Sequence, residues 1–482
     1  MTSIERFTIA GGRKNAAPRG LAFSALLALA MIIPGCSSGS TNTTKTTTAT
    51  AQPAGPQTYM APYIVGETTP ADSVSAYTID DTAQTFSNST YYLGEADGAY
   101  QEGARTYYAG TTASLARGLL GLGVEYSWNS TSPIVYNPPQ TGSWAFELPN
   151  QAGALIDIQG QPFAPLVPAV SCPDFTTPQT YQFITLPAAL TKGKSRTYTW
   201  NPTRETAFGS VDVSGSGSTI NFNNIQQYTL PASAGGAPGA PASTVTSPQT
   251  GACSSTYYGN TTVVPANLTV TNPGPNSAAP PVAVVGIGPT GLLVESNAAN
   301  GESNASPFYE NLLGAGTGAI GLPKPSSPVQ SSALVGAQYL GFFYGSGNLS
   351  FNSWSTYVAS FGYTTVPLGC QAVATQTSTM IYGGGFSGNN PGSPGVQSGG
   401  GFGNCDIAID LGTEDPNNNG LYPAATVYVG PFYAGNTLGA NYNFQAVAIA
   451  GQLGGKYAIF LLGADTTGSP NQAWGIYLFQ SN

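Results

Sequence analysis

Residues 445–465, QAVAIAGQLGGKYAIFLLGAD, read as an apolar strand, a glycine-containing turn and a second apolar strand. Residues 281–297, PVAVVGIGPTGLLVESN, have the same form. Each stretch follows a cysteine, Cys405 and Cys253, that is itself preceded by a long Gly/Pro/Ser segment. Each is followed by a Ser-Pro pair, Ser469-Pro470 and Ser306-Pro307, and one more strand-like run, 474–480 and 314–322. This repeat in order defines two related units, 172–325 and 334–482.

Working outward, the rest of the chain has the same texture. Short runs rich in Val, Ile, Tyr, Phe and Thr, such as 180–186, 207–213, 219–225, 357–363 and 425–429, are separated by Gly, Pro, Asn and Ser. With 62 glycines and 38 prolines, no window after the first forty residues sustains a helical period. The best, SLARGLLGLG at 114–123, is weakened by three glycines. The fold expected is all-β. In the unit 334–482, strands fall at 337–344, 356–363, 379–386, 406–411, 425–432, 445–451, 456–463 and 474–480. Eight consecutive strands suit an up-and-down barrel, which has no free edge. The pattern is similar to the calycin-like barrels and implies tandem barrel or sandwich domains. Residues 57–171 hold a further eight or so strands and read as an N-terminal β domain. A β-propeller is the alternative architecture.

The first forty residues give an address. Arg6, Arg13, Lys14 and Arg19 precede the apolar run 21–33, and Gly35-Cys36 follows it. This resembles a bacterial lipoprotein signal, with 1–35 removed and Cys36 acylated. Residues 36–56 are Ser/Thr-rich and read as a disordered tether. The resemblance implies a cell-envelope protein held on the membrane by its lipid. Ser37, where inner-membrane retention uses Asp, implies the outer membrane rather than the inner. In general pattern the body looks like β-rich lipoproteins of soil and acidobacterial-type bacteria, a likeness that implies no catalytic residues.

The segment before Cys36 holds four of the 13 basic residues and one of the 22 acidic ones, so nine bases and twenty-one acids remain, a formal charge of −12. That excess argues against a nucleic-acid partner. The chain has no histidine, which excludes Ser-His-Asp and Cys-His catalysis and histidine zinc sites. The four cysteines beyond Cys36, namely Cys172, Cys253, Cys370 and Cys405, read as two disulfides in an exported chain. Three pairings are possible, and Cys172–Cys253 with Cys370–Cys405 is the local one.

Few motifs suggest chemistry. Asp415, Asn417 and Asn419, with Gly420, match the opening D-x-N-x-N-G of a calcium loop, but Thr426 stands where the closing Glu belongs. The competing reading is a hairpin turn, and no cofactor is expected unless this loop holds calcium. The two G-x-G-x-x-G matches, at 286–291 and 316–321, are followed by strand-like residues rather than a helix and read as turns. Asp406 and Asp410 share a strand face about 13 Å apart, too far for a glycosidase pair. Tyr257, Tyr258, Trp354, Tyr357, Tyr433 and Tyr442 fall near loops or strand ends and could grip a sugar or peptide. The expectation is a non-catalytic binding module for glycan, protein or a small apolar ligand. A carboxylate-dependent glycoside hydrolase or lyase, and an adhesin or structural envelope protein, are the alternatives. A barrel open at one end would favour a ligand, acids about 5–10 Å apart in a groove hydrolysis, and a closed core adhesion.

Overall fold

The computed structural model describes 26 strands, one short helix and some of the turns between them. The first set is β1 Gln57–Ala61, β2 Ser73–Asp80, β3 Thr85–Tyr92, β4 Ala104–Ser114, β5 Leu119–Tyr126, β6 Ile134–Val135, β7 Ser143–Leu148, β8 Ala152–Asp157 and β9 Ala164–Pro168. The second is β10 Phe175–Thr185, β11 Ala207–Ser216, β12 Thr219–Thr229, β13 Ser243–Val245, β14 Gln249–Tyr257, β15 Thr262–Thr271, β16 Ala283–Ile287, β17 Leu293–Asn297 and β18 Gly318–Pro323. After helix α1, Ser331–Val335, come β19 Tyr339–Gly345, β20 Thr356–Phe361, β21 Met380–Gly384, β22 Ile407–Asp410, β23 Leu421–Val429, β24 Tyr442–Leu453, β25 Lys456–Asp465 and β26 Gln472–Gln480. The other described residues are 56, 82–83, 172, 174, 186, 206, 217–218, 230, 291–292, 324–330, 336–338, 411–420 and 454–455. Cys36, the tether, Cys370, Cys405 and Asp406 lie outside the described residues.

Every ladder is antiparallel, and the ladders form three rings. β1, β2, β3, β4, β5, β7, β8 and β9 pair in that order, and β9 returns to β1. β10, β11, β12, β14, β15, β16, β17 and β18 do the same, with β18 returning to β10. β19 to β26 close without a branch. The chain is therefore all-β, built from three tandem eight-stranded up-and-down barrels. The short strands β6 and β13 are side branches, paired to β5 and β12. Rings of eight exclude the four-stranded blades of a propeller.

The segment that opened the sequence reading lies at the centre. Inside the third barrel, Ala446, Ala448, Ala450, Ile459 and Leu461 pack with Tyr339, Ile409, Val427, Trp474, Ile476 and Leu478. The alternate residues Val447, Ile449, Ala458, Phe460 and Leu462 point outward, yet they are buried too. They pack with Tyr477 and Phe479 against Ile184, Leu186, Phe208, Val294, Ile320 and Leu322 on the wall of the second barrel, in a cluster that also takes Ala152 and Val167 of the first. β24 and β25 are thus buried on both faces, which is why they read as unbroken apolar runs rather than as alternation. Gly454 and Gly455, at φ 58° and 83°, make the two-residue turn that joins them.

The interior of the second barrel is filled by Phe175, Tyr181, Phe183, Val211, Val213, Ile220, Phe222, Leu293 and their neighbours. Cys172 and Cys253 are disulfide-bonded there, with Cα atoms 6.0 Å apart, tying the strap that precedes β10 to β14. Of the stretch 114–123, Ser114 ends β4 and 119–123 begin β5.

Candidate functional site

In an up-and-down barrel, alternate connections emerge at opposite ends. In these barrels the two ends differ. Connections 81–84, 115–118 and 149–151 of the first barrel, and 217–218, 258–261 and 288–292 of the second, lie at the end where the chain also enters and leaves. Those at the opposite end are longer: 62–72, 93–103, 127–142 and 158–163, then 186–206, 230–248, 272–282 and 298–317. The third barrel sends 346–355, 385–406, 430–441 and 466–471 from that end, and 362–379, 411–420 and 454–455 from the other.

The tryptophans follow this asymmetry. Trp128, Trp200 and Trp354 each fall in a long-end connection, one per barrel. Trp144 is the second residue of β7 and Trp474 the third of β26, strands that start at that end. Trp474 is turned into its barrel, where its ring covers Gly463. A Cβ on that glycine would lie 2.0 Å from the ring. Of the aromatics noted in the sequence, Tyr257, Tyr357 and Tyr442 are at strand ends, and Tyr258, Trp354 and Tyr433 lie outside the described residues.

The opposite end of the third barrel is shut. Leu334 of α1 joins the interior cluster, and Val329, Val335 and Ala337 pack beneath it. The Tyr339 hydroxyl donates to Leu334 O at 2.7 Å, and the Tyr422 hydroxyl to Val329 O at 2.8 Å. Burial pushes both phenols well above the ordinary tyrosine value, with Tyr457 and Tyr422 adding to the effect at Tyr339 and Glu414 at Tyr422. Glu414 Oε1 accepts from Val329 N–H at 3.0 Å and also from Gly420 N–H.

The D-x-N-x-N-G motif lies beside this plug and joins two barrels. Asp415 Oδ1 accepts from Asn417 N–H at 2.8 Å, and Oδ2 from the Asn418 amide at 3.1 Å. The Lys324 ammonium donates to Asn418 Oδ1 at 3.2 Å and Asn417 O at 3.4 Å. Asn419 donates to Pro325 O at 3.2 Å, and its own carbonyl accepts from Gln182 of β10 at 3.0 Å. Both carboxylate oxygens of Asp415 are thus engaged by amides, and the Lys324 ammonium meets Asn417 O and Asn418 Oδ1. Among the described residues no three His, Cys, Asp or Glu side chains gather as a metal centre requires.

The other described carboxylates with resolved partners also hold local structure. Asp80 accepts from Thr82 and Ala83 N–H, and Asp174 from Thr176 N–H. Asp212 accepts from the Thr180 hydroxyl at 2.6 Å and the Asn224 amide at 2.8 Å. Asp410 accepts from Gly412 N–H at 3.0 Å. Asp410 further lies between two tyrosines that sequence reading missed. β21, β22 and β23 place Tyr382, Ala408 and Tyr428 in one cross-strand row, with Met380, Asp410 and Thr426 in the next. Strand register alone brings them together, so no local motif could mark them.

No protein-family model matches this chain, and no curated protein does either. Among solved structures it is similar to a double mutant of the vaccine antigen transferrin binding protein B (TbpB) from Haemophilus parasuis Hp5, at 8% identity over 89% of this chain and 76% of that one, with a TM-score of 0.21. It is likewise similar to isotype 1 TbpB from serogroup B Neisseria meningitidis, at 11% identity over 89% and 77%, also at 0.21. At that TM-score the likeness bears on neither fold nor ligand. No helix among the described residues is long and apolar enough to cross a membrane.

Proposed function

We propose that this chain is a non-catalytic binding protein of the cell envelope, lipid-anchored through Cys36, that grips a protein partner with the long-connection ends of its barrels. One observation carries the reading: in the first and second barrels every longer connection leaves from the end opposite chain entry, and Trp128, Trp200 and Trp354 fall in connections of that kind. The composition of those connections supports it. SGNLSFNSWS at 346–355, GPFYAGNTLGAN at 430–441 and SWNSTSPIVYNPPQTG at 127–142 combine Ser, Gly and Asn with Tyr, Phe and Trp. Antibody loops use the same mixture, adaptable polar groups around rigid aromatic anchors. The packed interiors of the second and third barrels disfavour an internal chamber for a small apolar ligand. Among the described residues Asp80, Asp174, Asp410 and Asp415 are bonded to nearby backbone and Asp212 to strand neighbours, which disfavours the hydrolase alternative.

Photo-crosslinking residues placed at 128, 200 and 354 in cells test this against positions 83, 217 and 454 at the opposite ends. Discrete adducts from the first set alone are expected. No adduct, or equal adducts from both sets, would reject it. The anchor is tested separately: a fatty-acid analogue should label the wild type and not Cys36→Ser.

A further inference from the structure

An asparagine loses its side-chain amide most readily when glycine follows it, because no side chain hinders the reacting nitrogen. The chain holds two such pairs, Asn300-Gly301 and Asn419-Gly420. The second lies where the 411–420 connection of the third barrel meets the second barrel, and there the fold demands the glycine. Gly420 is buried at φ 82°, and a Cβ on it would lie 2.3 Å from Ala450 O and 2.9 Å from the Pro325 ring. The molecule therefore keeps a chemically labile pair at a packed joint.

In deamidation the Gly420 nitrogen attacks Asn419 Cγ. Its proton passes to the side-chain amide, which leaves as ammonia, and a succinimide ring forms. Water then opens the ring to aspartate or to isoaspartate, whose main chain is longer by a methylene. Each group of the first step is held here. The Gly420 N–H donates to Glu414 Oε1, and at the other end of the same peptide group Asn419 O accepts from Gln182 Nε2 at 3.0 Å. Bonds at both ends stop this peptide group from turning its nitrogen toward Cγ. The leaving amide donates to Pro325 O at 3.2 Å, and Gly420 O accepts from Ala450 N–H at 2.7 Å. Gln182 belongs to β10 and Pro325 to the strap that leaves β18, so part of the restraint is present only while the second barrel lies against the loop.

We propose that Asn419 is a spontaneous modification site gated by this joint, silent while the second and third barrels are closed on each other and converted to aspartate or isoaspartate when they part. The rate is the fraction of molecules open at the joint multiplied by the rate in an open chain. The change runs one way. A carboxylate at 419 sets an acceptor against the Pro325 carbonyl where a donor stood, and the extra methylene of isoaspartate displaces Gly420 from Glu414 and Ala450. The joint thereby keeps a covalent record of its own opening. This holds whether or not the long-connection ends grip a protein.

The test incubates the purified mature chain at mildly alkaline pH, folded and in urea, and follows residue 419 by peptide mass mapping, with Asn300 as the reference in each digest. Folded wild type should convert Asn419 about tenfold or more slowly than the unfolded chain. Gln182→Ala and Glu414→Ala each free one end of the peptide group and should speed conversion in the folded state about tenfold, with the rate at Asn300 unchanged. Melting curves show whether each variant is folded. If one is not, wild type in urea below its unfolding transition replaces it, and conversion at 419 should rise there ahead of global unfolding. Equal rates in folded and unfolded wild type, a folded variant no faster than wild type, or no rise in low urea would overturn the proposal. Slower conversion in folded Glu414→Ala would do so as well, since the carboxylate would then act as a base rather than a restraint.

Discussion

At the scale of single residues, backbone conformation and burial set sharp limits. Asn224 is the one described non-glycine residue at positive φ, 49°, and it sits where β12 carries an extra residue against β11. Asn tolerates that region, and its amide also reaches Asp212. Asn224→Gly should therefore be nearly neutral, whereas Asn224→Val should cost about 1–2 kcal/mol in chemical denaturation. Gly463 has the tighter constraint, because any side chain meets the Trp474 ring. Gly463→Ala should cost about 2–3 kcal/mol and shift Trp474 fluorescence. The buried phenols of Tyr181, Tyr339 and Tyr422 predict alkaline weakness, since burial holds all three above their ordinary value. A group whose folded value is raised contributes its full stability below the unfolded value, about pH 10, and loses it as pH rises toward the folded one. Unfolding should begin above about pH 10, with cooperative rather than gradual tyrosine ionisation in ultraviolet absorbance.

At the scale of elements, the link between the second and third barrels is the testable part. Lys324→Met removes the ammonium from Asn417 and Asn418, and it should lower the melting temperature by a few degrees. Calcium should leave the wild-type melting temperature unchanged, because the Asp415 carboxylate already accepts from two amides and Lys324 places an ammonium in the loop. Removing the Cys172–Cys253 bond by Cys253→Ser should cost about 4 kcal/mol, given the 81-residue separation it closes. Element boundaries also show what sequence conveys. The strand runs at 207–213, 219–225 and 456–463 lie within β11, β12 and β25 because their apolar residues and glycine turns mark them directly. The run at 180–186 misses the start of β10, and that at 425–429 misses the start of β23, because Pro178 and Pro423 suggest interruption. Both prolines fall at register shifts, Phe175/Gln179 and Tyr422/Ala425, where an unpaired residue costs no ladder bond. The five-residue helix α1 is too short to show a period. Its role as a plug arises from Leu334 reaching a core assembled from distant strands.

At the scale of the whole molecule, three rings share one plan, and their packing determined how easily each was read. The third barrel was legible because the long apolar strands β24 and β25 dominate it. The first was less so, since its strands are rich in Ser, Thr and Gly, as in SVSAYTID and ARTYYAGTTAS. The candidate binding features were legible only in part. Tryptophan positions are visible in the chain, but that they share one kind of end follows only from which strands pair. The bonds that tie Asn419 to Gln182 and Pro325 depend wholly on packing between segments that are far apart in sequence.

An even number of strands returns the chain to the side where it began, and in the first barrel Tyr59 pairs directly with Pro168. Start and finish of that ring are neighbours, so such a module can be copied, deleted or spliced between others without rerouting its own path. Growth of the molecule by duplication then demands only a new connecting strap, while the opposite rims are free to diverge independently.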